Sequence, residues 1–326
     1  MHVAILGATG AVGRTMLEVL AERDFPVDEL TLLASERSAG KRITWRGREY
    51  TVRAPEPGCF RGVDVALFSA GADRSREWGP RAAEEGAVVV DNSSAWRMDP
   101  AVPLVVPEVN AAAIGDRPKG IIANPNCSTI QVVVALKPLQ DAARLKRVVM
   151  TSFQSVSGAG ETGLEAMRRE RAGEQGGKSP FSREIDRNVV PQIGDFDEEG
   201  WTGEERKMIN EPRKILSLPE LPIAPTCVRV PVEIGHSVEV MAELDRPLSV
   251  EEARRVLAAA PGLQVSTGAA DFPTPLQVAG DDDTHVGRLR VDPDRPATLH
   301  FWVVADNLRK GAATNAVQIA ECLGRA

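Results

Sequence analysis

The strongest constraint on the fold of this chain is a regular alternation of short apolar runs with segments of helical or turn character in its first third. The apolar runs cover residues 2–6, 30–34, 63–68 and 87–90. A strand that is buried on both faces reads as a continuous apolar run, and a repeated strand–helix order builds a parallel sheet with helices on both sides. We therefore predict an α/β protein whose first domain is a doubly wound parallel sheet.

Glycines recur at every third position directly after the first apolar run. They lie in the string Gly7-Ala8-Thr9-Gly10-Ala11-Val12-Gly13, which leads into an amphipathic segment. Glycine permits the tight turn from strand to helix and lets backbone N–H groups approach a pyrophosphate. A lone glycine triplet is a weak signal, but its place between the first strand and the first helix strengthens it. We predict a Rossmann-type dinucleotide site that uses Gly7, Thr9, Gly10, Ala11, Val12 and Gly13.

A polar cluster follows the second apolar run and bears on the choice of cofactor. An NAD site commonly has an acidic residue at this strand end, whereas an NADP site places cations and hydroxyls around a 2′-phosphate. Ser35, Arg37 and Ser38, with Lys41 beyond them, favour NADP. Glu36 argues against it, and a solvated polar loop is about as common for such a cluster. We expect NADP(H), with Arg37 and Ser38 at the 2′-phosphate and Ser35 beside them.

The pattern changes after residue 128. Strand-like runs at 147–157, 226–232, 236–244, 287–291 and 298–304 outnumber the helical segments there. This predicts an α+β domain with a mainly antiparallel or mixed sheet. We place the domain boundaries so that residues 1–127 plus 306–326, with a C-terminal helix, form the NADP-binding domain and residues 128–305 form the second domain.

Two segments interrupt this scheme. Residues 43–52 alternate in polarity, and we expect a small hairpin inserted in the first sheet. Residues 159–203 are rich in glycine and charge, and we expect an excursion with some helix that contacts another subunit. Its part from 172 to 180 has no assigned role.

Composition argues against several classes of function. The net charge is -7 and the isoelectric point is near 5.4, so neither nucleic acid nor an anionic membrane is expected as the main partner. The 4 cysteines lie far apart, without the spacing of metal ligands or of a disulfide framework, so we expect no metal site and a reducing, cytoplasmic setting. We see neither a cleavable leader nor an apolar run long enough to span a bilayer, and therefore expect neither export nor membrane insertion.

Cys127 lies where a working cysteine is expected. It follows a turn rich in Asn and Pro and precedes an apolar helical run that Ser128 or Thr129 is expected to cap. Near a helix N-terminus, unpaired N–H groups and the helix dipole favour the thiolate, which is the reactive form of cysteine. A small buried hydrophobic residue in a turn is an equally frequent role, so the residue alone leaves both open.

A nucleophilic thiol needs a proton-transfer partner, and the chain has only 4 histidines. His2, His285 and His300 lie in settings unlike a catalytic site. His236 stands at a turn into a strand, shortly after Arg229, so a chain reversal between them would bring both side chains to one pocket. Taken alone, a hydrogen-bonded turn histidine is the more common role for such a residue.

Several strings together resemble the aspartate-β-semialdehyde dehydrogenases. They occur in the order of that family and span nearly the whole chain. They are the glycine turn at 7–13, Asn92-Ser93-Ser94-Ala95-Trp96-Arg97, Asn124-Pro125-Asn126-Cys127-Ser128, Phe153-Gln154-Ser155-Val156-Ser157-Gly158-Ala159-Gly160, Asn210-Glu211-Pro212-Arg213-Lys214-Ile215, Arg229-Val230-Pro231-Val232 with Gly235-His236-Ser237, and Asp306-Asn307-Leu308 with Gly311-Ala312-Ala313. Any one string can arise by chance, whereas the ordered set is specific.

The resemblance implies the NADPH-dependent reductive dephosphorylation of L-aspartyl-4-phosphate to L-aspartate 4-semialdehyde and phosphate. The reaction passes through a cysteine thioester and belongs to lysine, threonine and methionine biosynthesis. In this chain Cys127 would be the nucleophile, His236 the acid/base and Gln154 the group that orients the acyl carbon or the thiol. The resemblance also implies a homodimer or a tetramer of dimers, with residues 128–305 as the catalytic and dimerisation domain.

The charged groups of that substrate match side chains in the same strings. A guanidinium pairs bidentately with a carboxylate, so Arg229 is assigned to the α-carboxylate, and Glu211 suits the α-ammonium. The phosphate is assigned to Arg97, Asn126 and Lys214, and the nicotinamide half of NADP(H) to Ser157, Gly158 and Asn307.

Two other functions stay open at this point. N-acetyl-γ-glutamyl-phosphate reductases use similar chemistry, but an acetylated amine carries no charge for Glu211 to pair with. A catalytically silent NADP-binding sensor would tolerate the loss of Cys127. The joint presence of Cys127, Gln154, Arg229 and His236 argues against the sensor.

Overall fold

The computed structural model describes residues 1–174 and 176–324. Gln175, within the predicted excursion, and residues 325–326, at the end of the predicted first domain, lie outside the described residues. The chain divides into two compact units, of which the first comprises Met1–Pro125 and Ala312–Ala326 and the second comprises Asn126–Gly311.

Strands and helices alternate in the first unit, and strands dominate the second. The strands are β1 (His2–Leu6), β2 (Glu29–Leu33), β3 (Arg42–Trp45), β4 (Arg48–Thr51), β5 (Val65–Phe68), β6 (Val88–Asp91), β7 (Ile121–Ala123), β8 (Leu145–Gln154), β9 (Ile223–Arg229), β10 (His236–Leu244), β11 (Leu263–Val265), β12 (Thr284–Val291) and β13 (Thr298–Ala305). The helices are α1 (Ala11–Glu22), α2 (Ala72–Glu84), α3 (Pro107–Asn110), α4 (Cys127–Ala143), α5 (Glu161–Arg171), α6 (Gly203–Ile215), α7 (Val250–Ala258), α8 (Pro275–Val278) and α9 (Thr314–Leu323). In the described part of the chain, no helix is long and apolar enough to cross a membrane.

A parallel sheet with the strand order β2-β1-β5-β6-β7 forms the centre of the first unit. All four residues of β5 are buried, as expected for a strand that is covered on both faces. Helix α9 packs against α1 in the same unit. The predicted doubly wound α/β domain is therefore confirmed.

The hairpin of β3 and β4 lies outside this sheet. The two strands form a separate two-stranded sheet, and Arg53, which follows β4, forms an isolated parallel bridge with Leu33 of β2. The predicted insertion in the first sheet is wrong, because Arg42, Arg48 and Glu49 are exposed and such strands cannot be covered on both faces. Trp45 anchors the hairpin by donating its indole N–H to the carbonyl of Leu17 at 2.6 Å.

A mixed sheet with the order β11-β12-β13-β10-β8-β9 forms the centre of the second unit. Strand β10 is antiparallel to both β8 and β13, while β8 and β9 are parallel. The prediction of an antiparallel or mixed sheet is confirmed. One face is buried against α4 through residues such as Val238 and Val240, and the opposite face presents the half-buried Met241 and Trp302.

The units begin and end near the predicted boundaries but not at them. Cys127 and residues 306–311 belong to the second unit. Cys127 is the first residue of α4, which packs on the mixed sheet. The side chain of Asp306 accepts the N–H of Gly280 at 2.9 Å, which ties the turn after β13 to the second unit.

Some elements end earlier or begin later than the sequence predicts. Strand β8 stops at Gln154 and is followed by a single 3₁₀ turn, Val156–Ala159. Strand β9 stops at Arg229 instead of residue 232, because Pro231 has no N–H to donate to a ladder. A π-helical turn, Arg309–Ala313, precedes α9 and delays its start to Thr314.

Candidate active site

Cys127 is the first residue of α4, and Asn126 is its N-cap. The side-chain oxygen of Asn126 accepts the N–H groups of Ser128 at 2.9 Å and of Thr129 at 3.2 Å. The prediction that Ser128 or Thr129 caps the helix is wrong, because both are already helical and act as donors. Cys127 is half-buried and forms no disulfide. Its place at the helix N-terminus favours a thiolate.

Two buried carboxylates hold Asn126 from the side of α6. The backbone N–H of Asn126 donates to Glu211 at 2.6 Å, and its side-chain amide donates to Glu204 at 2.8 Å. Glu211 is 1% exposed and Glu204 is 5% exposed. The residue before Cys127 is therefore fixed by α6 as well as by α4.

Glu204 also reaches Gln154 and Lys207. Its Oε1 accepts the amide of Gln154 at 3.1 Å, and its Oε2 pairs with Lys207 at 3.0 Å. Burial alone would raise the pKa of Glu204, but the charge of Lys207 and the hydrogen bonds from Lys207, Asn126 and Gln154 lower that pKa to about 2. Glu204 is therefore ionised at neutral pH and joins Asn126 to Gln154.

We expect Glu204 to make the stability of the fold depend on acid pH. Its folded-state pKa of about 2 lies below the ordinary value of 4.5, so its contribution is present above about pH 4.5 and is lost as the pH falls toward 2. The full difference corresponds to about 3 kcal/mol in the free energy of unfolding. Urea titrations at about pH 6 and about pH 3 should show that Glu204→Gln loses less stability on acidification than the unaltered protein. Equal losses in the two proteins would contradict this expectation.

The mixed sheet brings Gln154, Arg229 and His236 together at one set of strand ends, which is called the sheet edge below. Strands β8 and β9 are parallel, and their last residues, Gln154 and Arg229, are register partners. Strand β10 runs antiparallel to β8 and begins at His236. The end of β8, the end of β9 and the start of β10 therefore meet at the same sheet edge.

Arg229 is a buried cation at this edge. It is 5% exposed, and its Nη1 donates to the carbonyl oxygen of Ser155 at 2.6 Å. Burial lowers the pKa of Arg229, while the charges of Glu204 and Cys127 act in the opposite direction. A guanidinium stays protonated under such a shift, so this edge carries a permanent positive charge.

His236 is fully buried beside it. Its Nδ1 accepts the backbone N–H of Ser155 at 3.1 Å, and the hydroxyl oxygen of Ser155 lies 3.0 Å from the same nitrogen. Within residues 1–174 and 176–324, no hydrogen-bond partner is present for Nε2. Burial, followed by the charge of Arg229, lowers the pKa of His236 to about 3. The imidazole is therefore neutral at neutral pH.

Two glycines show how closely the reactive groups approach the backbone. A β-carbon at position 158 would lie 2.8 Å from Nη1 of Arg229 and 3.1 Å from Nε2 of His236, so both side chains face the same residue. A β-carbon at position 311 would lie 3.0 Å from the β-carbon of Cys127. Larger residues at either position would move a group of the site.

Replacing Gly158 with alanine should reduce kcat/KM by about 10- to 100-fold, because small displacements of positioned groups are costly in rate. The added methyl would displace Arg229 and His236, and the thermal unfolding midpoint should change little. Gly203→Ala is the matched control, since a β-carbon there would have no neighbour within 4 Å. Steady-state kinetics of the two variants check this, and equal activities would show that the close packing at Gly158 is unimportant.

The predicted cofactor turn in the first unit is closely packed. Gly7 has a φ of +96°, and a β-carbon there would lie 2.3 Å from the carbonyl oxygen of Ser69. A β-carbon at Gly13 would lie 2.3 Å from the carbonyl oxygen of Gly7. Gly10 is the N-cap of α1 and makes no side-chain cap bond. A tight glycine turn that leads to an uncapped helix N-terminus fits the pyrophosphate of a dinucleotide.

The other predicted residues of the first unit lie around that turn or beyond the strand ends. The hydroxyl of Thr9 lies 3.4 Å from that of the buried Ser38, while Ser35 and Arg37 are exposed next to it. Arg97 is 8% exposed and donates to the carbonyl oxygens of Asn124 at 3.0 Å and Asn92 at 2.7 Å. These bonds fix its guanidinium between the segments that follow β6 and β7.

The remaining predicted residues lie in the second unit. Lys214 lies in the last turn of α6, three positions after Glu211. Asn307 is buried, and its side-chain oxygen accepts the hydroxyl of Ser157 at 3.2 Å. Among residues 1–174 and 176–324, no group of three or more His, Cys, Asp or Glu side chains is arranged to hold a metal ion.

Three residues of this site were not found from the sequence: Glu204, Lys207 and Ser155. The spacing of Glu204 and Lys207, three apart on a helix, is a signal that could have suggested an ion pair, but it carries no information about the contact with Gln154. Ser155 directly follows Gln154, and only the folded chain shows that its N–H and hydroxyl face His236.

Comparisons with known proteins agree with a two-domain oxidoreductase. Residues 2–117 match the family model of the semialdehyde dehydrogenase NAD binding domain, and residues 136–310 match that of the semialdehyde dehydrogenase dimerisation domain. The fold and the site thus define a semialdehyde dehydrogenase type of protein.

Individual relatives narrow the family further. The aspartate-semialdehyde dehydrogenase of Aquifex aeolicus is 54% identical over 99% of this chain and 97% of its own. The crystal structure of aspartate semialdehyde dehydrogenase II from Vibrio cholerae, complexed with ASA, is 50% identical with a TM-score of 0.96 and covers 99% of this chain and 98% of that one. The crystal structure of the Candida albicans aspartate semialdehyde dehydrogenase with NADP is 27% identical to this chain and has a TM-score of 0.78. The match covers 99% of this chain and 98% of that one. The chain belongs to the aspartate-semialdehyde dehydrogenase family of amino-acid biosynthetic oxidoreductases, so the predicted resemblance is confirmed.

Proposed function

We propose that this chain reduces L-aspartyl-4-phosphate to L-aspartate 4-semialdehyde and phosphate with NADPH, through a thioester on Cys127. The reaction lies on the route to lysine, threonine and methionine. The observation that carries the proposal is the position of Cys127 at the capped N-terminus of α4, in the same unit as Gln154, Arg229 and His236, which share one sheet edge. A nucleophilic thiolate and a permanent cation are what an acyl phosphate with an α-carboxylate requires.

Cys127 acts first as a nucleophile. The thiolate sulfur attacks the acyl carbon, a C–S bond forms, and the carbonyl oxygen takes the negative charge. This species collapses as the C–O bond to phosphate breaks, and the electron pair leaves with phosphate, so a thioester remains on Cys127. Gln154, held by Glu204, orients the acyl group by hydrogen bonding.

The substrate's charged groups are bound by the residues around the thiol. Arg229 pairs with the α-carboxylate and Glu211 with the α-ammonium. Glu211 already accepts the N–H of Asn126, and a carboxylate has further lone pairs for an ammonium. The phosphate is bound by Arg97, Lys214 and Asn126.

The cofactor is NADP(H), bound at the glycine turn of the first unit by Gly7, Thr9, Gly10, Ala11, Val12 and Gly13. A relative from Candida albicans has been solved with NADP, and the first unit matches an NAD-binding family model. When bound, NADPH supplies the hydride that reduces the thioester. Ser157, Gly158 and Asn307 contact the nicotinamide half.

Arg37 should decide the preference for NADP over NAD, together with Ser35 and Ser38. Replacing Arg37 with alanine removes a cation from the 2′-phosphate, so KM for NADP⁺ should rise by about 10-fold or more while KM for NAD⁺ changes little. The exposed Arg42, on the neighbouring hairpin, provides the control variant Arg42→Ala. A parallel change for both cofactors would argue against a 2′-phosphate contact at Arg37.

We also propose that two copies associate through the open face of the mixed sheet. The half-buried Phe153, Met241 and Trp302 lie on this face, and the rings of Phe153 and Trp302 are 5.5 Å apart. The second unit matches a family model described as a dimerisation domain. The mass measured by sedimentation equilibrium should be at least twice the chain mass of 35.1 kDa, and the Trp302→Arg variant should have the mass of the monomer. If the unaltered protein is a monomer, the proposal is contradicted. A mass of four chains would indicate a second interface in addition to this one.

The substrate is tested by phosphate-dependent reduction of NADP⁺. L-aspartate 4-semialdehyde should be oxidised efficiently, and N-acetyl-L-glutamate 5-semialdehyde should be oxidised poorly, because its acetylated amine carries no charge for Glu211. Equal or reversed activities with these two aldehydes would defeat the proposal. Activity that does not require phosphate would also contradict an acyl phosphate as the other substrate of the reaction.

A further inference from the structure

The segment 92–97, named the β6 loop here, connects β6 to Arg97, which is the proposed phosphate ligand of the first unit. The loop contains no helix or strand, so other contacts must fix its conformation. Arg97 donates to the carbonyl oxygen of Asn92, the first residue of the loop, at 2.7 Å, and to that of Asn124 at 3.0 Å. The direction of its guanidinium therefore depends on how the loop is held.

Asp91 holds the first half of the β6 loop. It is the last residue of β6, and its side chain is fully buried. One carboxylate oxygen accepts the backbone N–H of Ser93 at 3.1 Å, and the other accepts the hydroxyl of Ser93 at 2.6 Å. The oxygen of that hydroxyl in turn accepts the N–H of Ala95 at 3.1 Å. The loop is thus fixed from Asp91 to Ala95.

Ser75, near the start of α2, holds the second half of the loop. It is 1% exposed, and its hydroxyl oxygen accepts the indole N–H of Trp96 at 3.2 Å. The hydrogen of the same hydroxyl can donate to Asp91. Burial raises the pKa of Asp91, and hydrogen bonds from Ser93 and Ser75 oppose that rise. Ser75 therefore joins the residue before the β6 loop to the residue before Arg97.

The indole of Trp96 is also held by packing. A β-carbon at Gly79 would lie 3.4 Å from Nε1 of Trp96, and Gly79 is four residues after Ser75, on the same face of α2. The ammonium of Lys119 lies 5.5 Å from the centre of the ring. Trp96→Phe therefore removes one hydrogen bond and keeps much of the packing.

We propose that Ser75 and Asp91 are positioning residues for the phosphate group, because they hold the β6 loop in the conformation that directs Arg97 toward it. The inference rests on the proposed function, which assigns the phosphate to Arg97. Neither Ser75 nor Asp91 is required to touch the substrate in this role.

The geometry of Arg97 matters because a guanidinium binds phosphate through directed, charge-assisted hydrogen bonds. A loop that moves would turn the planar group away from the phosphate. The α-carboxylate and the α-ammonium of the substrate are assigned to Arg229 and Glu211, which lie in the second unit. A defect in the β6 loop should therefore weaken the binding of phosphate much more than that of the aldehyde.

Kinetics of Ser75→Ala and Trp96→Phe test this role. Rates of NADP⁺ reduction are measured while phosphate and L-aspartate 4-semialdehyde are varied in turn. In each variant KM for phosphate should rise by about 5- to 10-fold, and KM for the aldehyde should stay within about twofold, as expected for the loss of one hydrogen bond that acts on phosphate alone. Trp78→Phe is the matched control, because the indole N–H of Trp78 on α2 has no hydrogen-bond partner in the described part of the chain.

The double variant shows whether Ser75 and Trp96 act through the same bond. If they do, its KM for phosphate should be no higher than that of Ser75→Ala, because the bond is already lost in the single variant. Independent effects would multiply. A multiplied effect would overturn the connection through Ser75.

Asp91→Asn separates positioning from charge. Positioning predicts that KM for phosphate rises by about 10-fold or more, because an amide cannot accept both hydrogen bonds from Ser93. The charge alone predicts the opposite, since removing a negative charge near Arg97 would strengthen the binding of an anion. A lower KM for phosphate in this variant would overturn the positioning role of Asp91.

Thermal unfolding of each variant accompanies the kinetics. An unchanged KM for phosphate in folded Ser75→Ala and Trp96→Phe would overturn the inference, and so would equal rises in KM for phosphate and for the aldehyde. If Ser75→Ala does not fold, the milder Trp96→Phe decides. If the unaltered protein oxidises the aldehyde without phosphate, the proposed function itself fails. Phosphate-dependent activity with an unchanged KM in the variants removes only the inference.

Discussion

Replacing Cys127 with serine should reduce kcat/KM by at least about 10³-fold and leave the fold intact, since the loss of a nucleophile commonly costs far more than the loss of a binding group. The two side chains have nearly the same shape. A hydroxyl at a helix N-terminus does not ionise near neutral pH, whereas a thiol does. Steady-state kinetics and a thermal unfolding curve of the variant measure both expectations.

Cys59→Ser is the matched control for this substitution. Burial raises the pKa of the Cys59 thiol, so that thiol stays protonated and unreactive at neutral pH. Its replacement should leave kcat/KM unchanged. If Cys127→Ser keeps substantial activity and folds like the unaltered protein, Cys127 is not the nucleophile of the reaction.

Replacing Arg229 with lysine should reduce kcat/KM by about 100-fold or more, because lysine keeps the charge but cannot pair bidentately with a carboxylate. The substitution also removes the hydrogen bond from Nη1 to Ser155, the residue that contacts His236. Kinetics with L-aspartate 4-semialdehyde measure the total effect.

A second aldehyde separates carboxylate binding from this structural effect. 3-Aminopropanal lacks the α-carboxylate but keeps the ammonium and the aldehyde. The unaltered protein should strongly prefer L-aspartate 4-semialdehyde, and Arg229→Lys should lose most of that preference. If the variant slows both aldehydes equally, Arg229 supports the site without binding the carboxylate.

The parts of the fold that depend on local pattern were accessible from the sequence. Parallel strands buried on both faces read as apolar runs, so β1, β2, β5 and β6 were found within a few residues. Glycine between a strand and a helix marked the cofactor turn. The position of Cys127 at a helix N-terminus followed from the Asn- and Pro-rich turn before it.

Other parts were not accessible, because several candidates met the same local rule, because the contact is distant in the chain, or because the element is very short. Asn126 caps α4, and no local rule distinguished it from the neighbouring Ser128 and Thr129. Glu204 matters because folding places it against Asn126 and Gln154, which are far from it in the chain. The three-residue strand β11 is also too short to give a period of its own.

The acyl-enzyme itself gives the most direct test of the proposed chemistry. The protein is mixed with L-aspartate 4-semialdehyde and NADP⁺ in phosphate-free buffer, quenched in acid, digested and analysed by mass spectrometry. Without phosphate to release it, an aspartyl group should accumulate as a thioester on the peptide that contains Cys127, and it should be absent from Cys127→Ser. NADP⁺ reduction without any such adduct, or an adduct on another residue, would contradict covalent catalysis by Cys127.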